Sequence, residues 1–241
     1  MAAEEDPSFH KQRLRYCKEF CEFFPQSSDR IIENMQSAIE ESGRILEIKN
    51  IAPGDSGTAD DSISIQNILQ PLEFVSDGKF PKDAVLEAMK HREALTPALL
   101  EILRKAKVNA KALLKQDAYM AHMYALYLLA YFRENQAYPI IVDFFSLPGD
   151  ISLDLTGDVV TENLDRILAS VSCGDTGLMQ MLVENKKANE YVRSAALRGI
   201  TTLVACGEQM RDGVISYFKK LYQGGLERRP SWIWSTLVKC S

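Results

Sequence analysis

Cys17 and Cys21 stand one helical turn apart, with His10 two turns before them, and such a trio supplies three of the four ligands of a structural zinc. No fourth ligand is in reach. His10, Leu14, Cys17, Cys21 and Phe24 share one helical face, so the group reads as a packed side on which cysteine serves as a small apolar residue. The run DISLDLTGDVVTE, Asp150 to Glu162, has oxygen-bearing side chains at alternate positions, as a calcium loop does. Leu155 stands where that loop needs glycine and Thr161 where it needs a bidentate glutamate, so calcium is not expected. Asp154, Asp158, Glu162 and Asp165 instead follow helical spacing, as a solvated face opposite a basic partner would. No metal and no cofactor is expected.

A second kind of chemistry is recognition. His122, Asp158 and Arg193 follow steps of 36 and 35 residues, the spacing that stacks side chains into a row in a repeat protein. In such a ladder Asp158 would tie to Arg193 between neighbouring repeats; alternatively Asp158, just after Gly157, caps its own helix. With Tyr119 and Glu162, these residues form a candidate partner-binding face. Trp232 and Trp234 lie beside Arg228 and Arg229, the aromatic-plus-arginine composition of interaction hot spots. Two residues apart on a helix they cannot share a face, so one is expected to seal the end of the molecule while the other stays freer.

Catalytic motifs are missing from the sequence. It has no glycine-rich phosphate loop, no HExxH and no serine elbow, and its three histidines are widely spaced. The expected role is non-enzymatic.

The elements that must position these residues are helices. Phe9, Tyr16, Phe20 and Phe23 mark a first helix that Pro25 stops; Ile32, Met35, Ile39 and Leu46 mark a second. They predict an N-terminal helical hairpin over residues 1–48. KNIAPGDSGTADDS, rich in Pro, Gly, Asp and Ser, predicts a flexible linker over 49–63. From 64 to 241 helix-length segments follow one another without the apolar–polar alternation of strands, so the class is all-α. Val142, Leu178 and Val214 fall 36 residues apart, as do Phe145, Met181 and Tyr217. A two-helix unit recurring at that length is the mark of an α-solenoid.

YVRSAALRGITTL, Tyr191 to Leu203, resembles the first helix of a HEAT-like repeat of the kind found in phycobilisome lyases. The small residues Ala195, Ala196 and Gly199 would let the next helix come close. Ala125 to Gly149, Gly157 to Asp175 and Asn189 to Glu208, in that order and spacing, resemble an uncharacterised bacterial domain-of-unknown-function family. Members of that family often continue into a SEC-C module, a short cysteine-rich zinc-binding tail. The end of this sequence carries only Cys240, so the module is expected to be absent. The resemblance implies a HEAT-like fold and no activity.

A net charge of −5 in 241 residues, with no basic stripe recognised, argues against nucleic acid. The longest apolar run, Met123 to Phe132, is too short to cross a bilayer, so no membrane span is expected. The acidic N-terminus lacks the features of a secretory signal, and five scattered cysteines do not form a disulfide framework, so cytoplasmic residence is expected. Secretion without a cleavable signal would leave no mark here. The reading is therefore a protein–protein interaction scaffold or adaptor, the partner a protein of unknown identity, with homodimerisation through the N-terminal hairpin a further expectation. The alternatives are an enzyme-associated chaperone or regulator and a nucleic-acid-binding solenoid.

Overall fold

The computed structural model describes residues 60–74, 81–116, 119–227 and 231–240. The expected N-terminal hairpin, most of the linker, and the His10, Cys17 and Cys21 group lie outside them. Among the described residues the chain is helical, with three isolated bridges and no strand.

Chain order is α1 (Asp60–Glu73), α2 (Lys82–Ala88), α3 (Arg92–Val108), α4 (Ala110–Leu113), α5 (Ala121–Tyr131) and α6 (Ala137–Phe145). Then come α7 (Ile151–Thr156), α8 (Val159–Glu162), α9 (Leu164–Ser172), α10 (Gly177–Glu184), α11 (Glu190–Ala205), α12 (Arg211–Lys220) and α13 (Trp232–Cys240). A π-helical turn, Leu221–Gly225, follows α12. Helices α5, α9, α11 and α13 pack side by side in that order, while α6 and α10 lie against them from one side. Helix α3 closes the other end against α5 and α6. The core runs through Leu99, Leu103, Leu126, Leu128, Phe144, Phe145, Leu168 and Ile200, all buried. Each such leucine contributes about 2 kcal/mol by leaving water.

Three hairpins, α5/α6, α9/α10 and α11/α12, close on a left-handed residue, respectively Arg133, Cys173 and Gly207. At the first and third the hydrogen bonds form a Schellman motif. Glu134 N–H reaches Leu129 O and Arg133 N–H reaches Ala130 O, while Glu208 N–H reaches Leu203 O and Gly207 N–H reaches Val204 O. These closures run from 133 to 173 to 207, in steps of 40 and 34 residues, where the sequence spacing predicts an even 36. The physical reason is the connection after α6, where Ile151 to Glu162 coil into two short helices and lengthen that unit. The register shifts accordingly: Met181 is 68% exposed, whereas Phe145 and Tyr217, which an even period makes its equivalents, are buried. Helix α8 likewise ends at Glu162, so the acidic residues expected along one helical face are divided, Asp154 in α7, Glu162 in α8 and Asp165 in α9.

Helix α11 shows why small residues occupy its middle. A Cβ added at Gly199 would stand 3.0 Å from the Asp165 carbonyl oxygen of α9 and 2.9 Å from the Met179 sulfur of α10. The α9 backbone leaves no room for a side chain. Ala195 and Ala196 beside it are fully buried.

Hydrogen bonds then lock hairpin to hairpin. Met179 N–H donates to the Tyr138 hydroxyl at 2.9 Å, Ser170 Oγ donates to Ala130 O at 2.6 Å, and Gln209 Nε2 donates to Gly174 O at 2.6 Å. Burial pushes the Tyr138 hydroxyl well above its ordinary pKa, so it stays protonated as part of the frame.

Candidate functional site

Arg193, near the start of α11, is 3% exposed. Its Nε donates to Val183 O at 2.8 Å, and its two terminal nitrogens donate to the two Glu227 oxygens at 3.0 and 2.9 Å. This bidentate fork is the geometry in which arginine and carboxylate attract most strongly. The guanidinium holds the Glu227 carboxyl down to about 2, against an opposing contribution from burial. The expected partner was Asp158; the structure replaces it with Glu227. Asp158 is exposed, makes no side-chain cap at α8, and lies outside the row because the lengthened connection moved it.

Glu227 also positions the end of the molecule. Its carbonyl accepts the indole N–H of Trp234 at 2.7 Å, and the Tyr222 ring stands edge-on to that indole at 5.7 Å. One segment of extended chain thus clasps α11 through its side chain and α13 through its backbone. Glu190, the first residue of α11, accepts the Trp232 backbone N–H at 2.7 Å. A carboxylate at that position suits the positive end of α13.

Of the two tryptophans, Trp234 is the packed one and Trp232 the freer. Trp232 is 48% exposed, with Tyr191 at 5.7 Å on one side and Lys239 Nζ 5.8 Å from its ring centroid. Val238, one turn beyond Trp234, is 68% exposed, and Tyr222, which meets Trp234, is 66% exposed. The exposed residues of α13 are thus Trp232 and Val238 together with the polar Ser235 and Lys239.

The other candidates lie elsewhere. His122 is buried, with Nε2 2.8 Å from Leu155 O. A carbonyl only accepts, so Nε2 carries the proton. Tyr119 stacks on that imidazole, rings 5.7 Å apart and nearly parallel, and meets Phe74 edge-on. Burial, and secondarily Glu73, pushes the Tyr119 pKa upward. Glu162 is exposed at the end of α8. The candidates thus divide into a buried pair, His122 and Arg193, that ties helices to their neighbours, and an exposed set, Asp158, Glu162 and Trp232. Glu227 and Tyr222 were not singled out in the sequence, where an isolated glutamate after a glycine pair carries no signal. Among the described residues, no three His, Cys, Asp or Glu side chains come together to hold a metal, and no helix is long and apolar enough to cross a membrane.

Residues 63–241 match the model of a family described as "Protein of unknown function (DUF1186)". A protein of Chlamydia muridarum (strain MoPn / Nigg), described as "Uncharacterized protein", is 41% identical over 176 residues, 73% of this chain and 70% of the relative. One of Chlamydia trachomatis serovar D, described in the same words, is 40% identical over 177 residues, again 73% of this chain and 70% of the relative. No solved structure matches the chain.

Proposed function

This chain belongs to the DUF1186 family, and from that premise we propose that it is a HEAT-like solenoid acting as a non-enzymatic scaffold that binds a protein partner. Support for the solenoid comes from hairpins that stack in chain order and close on the same kind of left-handed turn. Support for binding comes chiefly from one observation, the exposure of Trp232 on α13. Trp232 is half exposed there with Tyr191 and Lys239 beside it, while Val238 and Tyr222 are exposed on the Trp234 side of the same helix. A partner that offers an apolar pocket to Trp232 and a carboxylate to Lys239 fits this surface. Asp158 and Glu162 supply a separate acidic contact, with Tyr119 at the margin, while His122, Arg193 and Trp234 hold the frame.

The test is cross-linked affinity capture from source cells, with the full chain and with a Trp232→Ala, Val238→Asp variant. Both changes lie on the surface, so circular dichroism is expected to match. Loss of captured proteins from the variant is the expected result. Identical captured sets would remove α13 from the reading, and a further Asp158→Ala, Glu162→Ala change with the same outcome would remove the scaffold role.

A further inference from the structure

In a chain of net charge −5, the twelve residues from Arg104 to Lys115, RKAKVNAKALLK, hold five cations and no acid. They span the last turn of α3, a kink at Asn109 and the short α4. Arg104 and Val108 share one line of α3, and beyond the kink Lys111 on α4 and Lys115 just after it are exposed as well. Leu99, Leu103, Ala106 and Ala110 are buried on the opposite side. Val108, at the centre of this strip, is 81% exposed. Lys105 and Lys107 flank it. Glu101 approaches Arg104 and Lys105 only at 3.7 and 3.8 Å, and Asp143 pairs with Lys107. Lys111 and Lys115 have no ion pair among the described residues, so the strip keeps a net positive charge. Cations at a helix C-terminus complement its dipole, but that effect is confined to the last turn and does not account for Lys111 and Lys115.

We propose that this strip is a binding site for an anionic lipid surface, on which the protein docks peripherally. Clusters of four to eight Lys and Arg residues on a helix adsorb to anionic headgroups without entering the bilayer. Two features favour lipid over a nucleic acid. Phosphates of a duplex are met by hydrogen-bonding side chains, whereas the centre of this strip is an exposed valine, which finds apolar surface only just beneath lipid headgroups. The strip also carries no aromatic side chain on which a base could stack. This inference is independent of the partner proposed for α13, which lies at the far end of the helix order.

The test is co-sedimentation of the full chain with vesicles of equimolar phosphatidylcholine and phosphatidylglycerol, against phosphatidylcholine alone. Binding to the anionic vesicles only, weakened by added salt, is expected. Lys111→Glu with Lys115→Glu lowers that affinity by about tenfold or more, since each cation near the surface contributes roughly a factor of five. Lys111→Arg with Lys115→Arg restores it, and Val108→Asp weakens it further. All of these positions are exposed, so the variants fold. Absence of binding to anionic vesicles overturns the proposal, as does binding that the charge reversal leaves unchanged. A gel shift of duplex DNA that the same reversal abolishes, without vesicle binding, overturns it in favour of nucleic acid.

Discussion

The junction between α9 and α11 and the junction between α11 and α13 use the same helix in different ways. Toward α9, helix α11 presents Gly199 against the Asp165 carbonyl, and beside that close contact Arg198 pairs with the Asp165 carboxylate at 3.4 Å. Toward α13 it relies on Arg193, buried and forked onto Glu227, and on Glu190 at the start of the last helix. At the first junction close packing leads, with one ion pair beside it. At the second a two-armed, charge-assisted fork at 3.0 and 2.9 Å leads instead.

The comparison breaks most sharply at Arg193. Arg193→Ala leaves Glu227 without its cation and Val183 O without its donor, and urea denaturation is expected to show a loss of about 3 to 5 kcal/mol. A loss below about 1 kcal/mol would make the terminal junction a matter of packing after all. Next comes Gly199→Val, which forces side-chain atoms against the α9 backbone. We expect about 2 to 3 kcal/mol of destabilisation in the same assay, from steric conflict rather than from lost charge.

The terminal junction responds to acid. Glu227 has its folded pKa depressed from an ordinary 4.5 to about 2, so its stabilising contribution is present above about pH 4.5 and is lost as pH falls toward 2. Both tryptophans of the chain are in α13. Their fluorescence should shift to the red through that window before helical circular dichroism is lost; simultaneous loss would show that the two junctions melt as one. The smallest effect is expected from Trp234→Phe, which keeps the ring and removes the donor to Glu227 O, at about 1 kcal/mol.

The helical class and the close approach of α11 were legible because both follow from local spacing: apolar residues at threes and fours, and small residues in an otherwise apolar helix. The period was legible only in part. An even 36-residue step aligns Met181 with Phe145 and Tyr217, but Met181 is exposed and they are not. A connection that coils into α7 and α8 changes the register without changing the composition. For the same reason Arg193 was matched to Asp158. Its true partner, Glu227, is chosen by the path of the chain after the π turn, and nothing within a helical window reports that path. The basic strip from Arg104 to Lys115 was open to a local reading too and was obscured by averaging charge over the whole chain.

One bond has a mechanical consequence. Arg133 and Glu208 sit in the closing turns of the first and third hairpins, and the Arg133 guanidinium donates to Glu208 at 2.7 Å. Flat, evenly spaced layering would put α5 and α11 about 18 Å apart, two interaxial steps. A direct bond over the middle turn holds the two outer turns together at this edge. The pair thus acts as a strap across three hairpins, and breaking it would free the first closing turn from the third.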